Sequence, residues 1–260
     1  MIFEFILIIF IAFVCEWVDS ALGMGYGTIL SPLLLIFGFS PLVVVPSILL
    51  TQAFGGLAAS IFHHRRGNAN FSFKNGLTDD MKTVLILTSL GVVATIISAI
   101  VAVNISKTVL TSYISLLVIV MGLLILFNFR FVYTTGKMLL VGVISAFNKG
   151  LSGGGFGPVV TGGQIVLGKD HKQAIACTTA AEPLICIVGF ITYVFLKGWP
   201  EMNLIYALGI GAIIAGVFGP STTQKINKRA LRYIVGFIMV LLGILSALVL
   251  LGVLKVKIGL

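Results

Sequence analysis

The chain has 260 residues, 58% of them hydrophobic and 10% charged, with a mean hydropathy of +1.16 and a formal net charge of +9 at pH 7. So little charge cannot clothe a water-soluble domain of this size, and composition places the chain among all-α integral membrane proteins. Its 17 Lys and Arg residues are scattered between apolar runs rather than gathered in a patch, which is a membrane-topology signal and excludes a nucleic-acid partner.

The first apolar segment, residues 2–22, begins without a basic leader and is followed by further apolar runs, so it reads as a membrane segment rather than a signal peptide. Glu16 and Asp19, three residues apart on one helix face, precede a glycine-rich break, Asp19-Ser20-Ala21-Leu22-Gly23-Met24-Gly25-Tyr26-Gly27. A short segment, 26–38, follows, and then a longer one, 42–63, which Ser40-Pro41 opens as an N-cap signal and which carries Gln52 near its middle. His63, His64, Arg65 and Arg66 read as a membrane-edge anchor at the head of a polar connection that runs to Lys82. Segments 83–103 and 109–129 complete the first half.

In the second half, segment 138–148 leads through Asn148 into a second break, Lys149-Gly150-Leu151-Ser152-Gly153-Gly154-Gly155-Phe156-Gly157. A short segment, 158–168, precedes 173–196, which Asp170-His171 opens and in which Glu182 sits after Thr178-Thr179 and before Pro183. Segments 204–220 and 231–254 close the series. The three cysteines, Cys15, Cys177 and Cys186, all fall in apolar segments without a CxxC and read as small buried hydrophobes, with neither a disulfide framework nor metal spacing. No cofactor motif and no catalytic set is present.

The two halves, 1–129 and 130–260, read as a duplication. Adding 130 carries Gly23, Gly25 and Gly27 onto Gly153, Gly155 and Gly157, Gly38 onto Gly168, Ser40 onto Asp170, and Gln52 onto Glu182. A shift of 121 carries Ile105-Ser-Lys107 onto Ile226-Asn-Lys228 and Gly122 onto Gly243. Charge then orients the copies. Loop 39–41 lacks basic residues while 169–172 has two; loop 64–82 has four while 197–203 has one; loop 104–108 has one while 221–232 has four. The basic side swaps in every pair, as inverted repeats require. An odd number of passes per repeat follows, three longer membrane helices beside a glycine-broken pair, for 8 full spans plus short passes. That reading puts 12 basic residues on one face and 5 on the other. The richer face, with loops 64–82, 130–137 and 221–230, is then cytoplasmic, and both termini lie outside.

A matched pair of interrupted hydrophobic segments, one in each half, is the sequence pointer to a transporter's binding site. Helix starts beside the glycines offer unpaired N–H groups and the positive end of the helix dipole, which suit a small anion. The expected substrate contacts are Ser20, Gly23, Gly25, Gly27, Asn148, Lys149, Ser152, Gly153, Gly154, Gly155 and Gly157. Glu16, Asp19, Gln52 and Glu182 are expected either to couple transport to a second ion or to form structural ion pairs, Asp19 with Lys149 across the repeat axis and Glu182 as a proton carrier. Close helix packing at small residues is the alternative reading of the glycines.

The pattern Asp19-Ser-Ala-x-Gly-x-Gly-x-Gly27, Pro32, Gly38-Phe-Ser-Pro41, with its second copy Gly150-Leu-Ser-Gly-Gly-Gly-Phe-Gly157, resembles the sulfite exporter TauE/SafE family along essentially the whole chain. The resemblance implies a multi-pass plasma-membrane protein that moves sulfite, thiosulfate or organosulfonates, with the bilayer and a small anion as partners; the proton as candidate coupling ion comes from the buried Glu182 instead. An anion channel, or a transporter of another small organic anion, uses the same residues and stays open at this point. An intramembrane enzyme is disfavoured by the absent catalytic motifs.

Overall fold

A computed structural model describes residues 2–73, 76–127, 135–223, 225 and 227–254, except the side chains of Thr135, Lys137, Met138 and Lys228. Among the described residues the chain forms ten helices and no strand: α1 (Ile2–Leu22), α2 (Tyr26–Ile36), α3 (Pro41–Arg65), α4 (Asp79–Asn104), α5 (Lys107–Leu126), α6 (Thr135–Ser152), α7 (Gly157–Val166), α8 (His171–Lys197), α9 (Met202–Thr222) and α10 (Lys228–Leu250). The basic residues Lys74, Arg130, Lys255 and Lys257, which enter the charge count, lie outside the described residues.

Seven of these helices are long and apolar enough to cross a bilayer. The expected eighth, α6, is not among them: its described apolar stretch is Leu139–Ser152, which carries Asn148 and Lys149 near its end. The helices after the glycine breaks, α2 with 11 residues and α7 with 10, reach only roughly 15–17 Å at ~1.5 Å per residue, half of a ~30 Å hydrocarbon core. Large apolar side chains such as Val93, Ile97, Leu116, Phe195 and Phe237 point outward, where a bilayer solvates them.

Capping chemistry sets the starts. Ser40 is the N-cap of α3 with a proline in the first turn, and the Asp170 carboxylate accepts from the Lys172 N–H at the start of α8, as their sequences signal. α4 begins four residues earlier than its apolar run because the Thr78 hydroxyl accepts from the Met81 N–H.

The contact pattern is only partly periodic in the helix order, since α2 packs on α5 and α10 whereas α7 makes no comparable contact with either. Moving each helix five places on turns the α1–α9 contact into α6–α4, α3–α9 into α8–α4, α2–α3 into α7–α8 and α1–α2 into α6–α7, and all of these contacts exist. Sequence counterparts share backbone geometry too: Gly23 and Gly153 have φ of 73° and 78°, Gly38 and Gly168 of 94° and 95°. The counterpart helices α3 and α8 pack against each other, with Gly189 beside Leu49 and Gly56 beside Thr179 and Pro183, so they run antiparallel. So do α5 and α10, where Ser115 meets Ser246 at 2.9 Å while Gly122 meets Gly236 and Val240.

The basic loops meet at one end of the bundle. Lys169 Nζ lies 3.0 Å from Asp80 Oδ1, tying the α7–α8 loop to the start of α4, and Asn68 Nδ2 donates to the Pro220 carbonyl at 3.0 Å, tying the loop after α3 to the end of α9.

Candidate functional site

The two glycine turns cross backbone to backbone in the middle of the bundle. A Cβ on Gly27 would run into the Gly153 carbonyl, and one on Gly157 into the Gly23 carbonyl. These two contacts exchange under the shift of 130. Two hydroxyls at counterpart positions reinforce the crossing: Ser31 Oγ donates to the Ser152 carbonyl and Thr161 Oγ1 to the Gly23 carbonyl at 3.3 Å.

Each turn opens a helix whose first donors face the crossing. The Tyr26 N–H is taken by Asp19 Oδ1 at 3.1 Å, and the Gly154 N–H by Ser152 Oγ at 3.1 Å. Among the described hydrogen bonds, the N–H groups of Gly27, Thr28, Gly157 and Val159 find no acceptor, as befits first-turn donors. Pro158 fills a first-turn place where no N–H is required.

Beneath the crossing lies a polar cluster sealed from solvent. Gln52 is its hub: its Nε2 donates to Asp19 Oδ2 at 3.2 Å and to Glu182 Oε2 at 2.6 Å, and its Oε1 accepts from Lys149 Nζ. Lys149 Nζ also stands 3.6 Å from Glu182 Oε2. The ion pair expected between Asp19 and Lys149 is therefore not direct; Gln52 stands between them and Lys149 faces Glu182 instead. The cluster is intelligible in a low-dielectric interior, where each charge needs both a partner and donors.

These groups and the turns enclose a cavity of about 10 Å³, the room of about one water. Gly25, Gly27 and Thr28 wall it from the first turn, Gly154 to Pro158 from the second, and Asp19, Gln52, Lys149 and Glu182 from below. Gly23 and Gly153 shape the turns through their crossing carbonyls. Ser20, Asn148 and Ser152 are engaged elsewhere. Ser20 Oγ donates to Glu16 Oε1 at 3.0 Å, Asn148 Oδ1 accepts from the Tyr113 hydroxyl, and Ser152 Oγ donates to the Asn148 carbonyl at 2.8 Å. Glu16 sits behind the cluster, where Gly55 and Ala212 approach one another.

Sequence reasoning missed Thr28, Phe156 and Pro158 in the wall and the clasps Ser31 and Thr161, whose residue types carry no motif; the clasps' counterpart spacing of 130 was their only signal. It also misplaced His63. This residue is fully buried rather than a membrane-edge anchor: Nε2 bonds the Ser20 carbonyl at 3.0 Å and Nδ1 meets Asn68 Nδ2 at 2.9 Å, whereas His64 and Arg65 are exposed. The three cysteines are buried and free, and Cys177 Sγ lies 3.6 Å from Asp80 Oδ1.

An apolar all-helical bundle built around a sealed ionic cluster is a multi-pass membrane protein. Residues 8–246 match the family described as sulfite exporter TauE/SafE, and the chain belongs to that family. It is similar to the probable membrane transporter protein YtnM of Bacillus subtilis (strain 168), being 26% identical over 256 residues that cover 92% of this chain and 81% of that protein. Both findings place the chain among the transporters of the cell membrane. No solved structure matches it.

Proposed function

We propose that the protein is a secondary transporter of small sulfur-containing anions, such as sulfite, thiosulfate or organosulfonates, and that it holds the substrate between its two glycine turns. The observation that carries this reading is the crossing itself: two helix starts, from counterpart places in the chain, converge above a buried lysine. A dehydrated oxyanion needs several convergent donors, and first-turn N–H groups supply them without burying further cations. Lys149 supplies the single positive charge.

Halves 1–129 and 130–260 act as inverted repeats in this mechanism, a reading supported by the antiparallel packing of α3 with α8 and α5 with α10. The cavity of about 10 Å³ is too small for an oxyanion, and in this reading it corresponds to a closed arrangement. Substrate enters when the halves part on one face and leaves when they part on the other.

Thermal-shift screening of purified protein with sulfite, sulfate, thiosulfate and short sulfonates, followed by flux into liposomes, tests the proposal. Stabilisation by a sulfur anion together with saturable flux is expected. Flux that rises linearly with concentration indicates a channel, and stabilisation only by anions without sulfur moves the substrate class.

A further inference from the structure

The buried site holds three carboxylates, Glu16, Asp19 and Glu182, against one ammonium, Lys149. With all four ionised, two negative charges stand uncompensated in the membrane interior, directly where an anion is to bind. Such charge is costly there, and a proton on one carboxyl is the cheapest means of halving it.

The hydrogen bonds single out which carboxyl takes it. Asp19 accepts from the Tyr26 N–H and from Gln52, one donor on each oxygen. Glu182 accepts from Gln52 and faces Lys149. Among the described residues Glu16 accepts only the Ser20 hydroxyl, on Oε1; its Oε2 is buried and finds no hydrogen-bond partner there, and the residue is 0% exposed. Its surroundings are apolar or small: Gly55 of α3 lies close to the Glu16 carboxyl carbon and against Ala212 of α9.

The charged and titratable groups around it are few. α1 itself contributes Cys15 and Asp19, α2 Tyr26, α6 Lys149 and α8 Glu182. α3 presents the neutral Gln52, and its His63 reaches the same turn of α1 through the Ser20 carbonyl. α9, packed along α1, has no charged side chain in its span Met202–Thr222. Among the described residues, no cation approaches Glu16 more directly than the Lys149 already shared by Glu182 and Gln52.

We propose that Glu16 is the proton-binding site of this protein, a neutral carboxylic acid in the closed arrangement that becomes the source of the coupled proton when the halves part. Opening the α1–α9 side hydrates Glu16 and lets it release its proton, and loss of that proton adds a negative charge beside the substrate site. Proton and anion binding are therefore linked, and the linkage is reciprocal: an anion held between the turns favours the protonated form. The coupling part of this inference rests on the transport reading; the assignment of the proton to Glu16 does not.

Infrared spectroscopy of the purified protein in lipid nanodiscs, in H₂O and D₂O at neutral pH, reads the proton without any substrate. The parent is expected to show the carbonyl stretch of a protonated carboxylic acid, with its deuterium shift. Glu16→Gln is expected to lose that band, while Asp19→Asn and Glu182→Gln keep it. Absence of the band in the parent, or its loss in either of the other two variants, overturns the assignment, and the last result holds even if Glu16→Gln does not fold.

In liposomes, exchange of labelled sulfite across the membrane at equal pH should persist in Glu16→Gln, whereas uptake driven by a pH gradient should fall at least tenfold. Gradient-driven uptake at the parent rate in that variant overturns the coupling role. Failure of the parent to exchange any sulfur anion refutes the transport reading instead, and leaves the infrared assignment to stand or fall by its own bands.

Discussion

Gln52 Nε2 donates to Glu182 Oε2 at 2.6 Å, and the two residues are each other's counterparts, 130 positions apart. When two symmetry-related positions touch, the contact lies on the axis that relates them. Asp19 and Lys149 are also counterparts, and both bond to Gln52. Under the shift of 130 the four polar groups fall into two counterpart pairs around one point, and the members of each pair are chemically complementary: amide against acid, acid against amine.

Gln52→Leu should therefore be strongly destabilising. It strips a donor from Asp19 and from Glu182 and an acceptor from Lys149, all buried. Orphaned buried polar groups cost about 1–3 kcal/mol each, so a fall in the thermal unfolding midpoint well beyond that of Leu substitutions on the lipid-facing surface is expected. An unchanged midpoint in detergent and in nanodiscs would show that Gln52 bears little of the cluster's organisation.

Lys149 and Glu182 separate fold from function. Lys149→Met removes the positive charge and leaves Glu182 with Gln52 alone, so both stability and sulfite-induced thermal shift should drop. Adding Glu182→Gln neutralises the stranded acid and should recover most of the stability, because the two substitutions share one interaction and are not additive. Anion binding should stay weakened by tenfold or more in the double variant. Recovery of binding along with stability would assign Lys149 a purely structural role.

Much of this architecture is legible in the chain. All ten segments form helices near their expected bounds, because apolar run length and cap residues such as Asp170 act locally. Both glycine breaks are turns because positive φ at Gly23 and Gly153 suits no other residue as well. What escapes is contact across the fold. His63 looks like its neighbours His64, Arg65 and Arg66, and only the approach of α1 and of Asn68 buries it. Likewise the sequence pairs Gln52 with Glu182 as counterparts, yet that they touch depends on where the axis falls. The expected Asp19–Lys149 pair is mediated rather than direct for the same reason: a glutamine long enough to stand between them is chosen by distance, which spacing does not encode.

The topology is testable at the loops. Lys169 reaches Asp80 and Asn68 reaches Pro220, so the ends bearing Arg65, Arg66, Lys169 and Lys172 share a face, and their charge predicts that this face is cytoplasmic. In a chain whose three buried cysteines are replaced by alanine or serine, cysteine at exposed Gly67 should resist an impermeant thiol reagent added to intact cells, and cysteine at exposed Lys197 should react. The opposite pattern reverses the orientation; reaction at both positions breaks the five-pass count for the segments between them.

The glycine crossing yields the most specific prediction. Gly27→Ala and Gly157→Ala each drive a Cβ into a backbone carbonyl that cannot swing away, Gly153 for the first and Gly23 for the second. Overpacking typically costs about 1–3 kcal/mol, and contact with backbone at the central crossing should fall at the upper end or beyond. Gly162→Ala is the control: it lies in α7, a Cβ there meets nothing within 4 Å, and alanine is the better helix former by about 1 kcal/mol, so it should be neutral or stabilising. Valine at Gly25 or Gly155 is a poorer probe of ligand approach, because φ values of 141° and 87° make any side chain strained whether or not an anion binds. Since Gly27 and Gly157 occupy counterpart places in one crossing, the two alanine variants should suffer alike. A Gly27→Ala protein as stable as the parent beside a collapsed Gly157→Ala would mean that the turns do not meet symmetrically, and the paired-turn site would lose its structural basis.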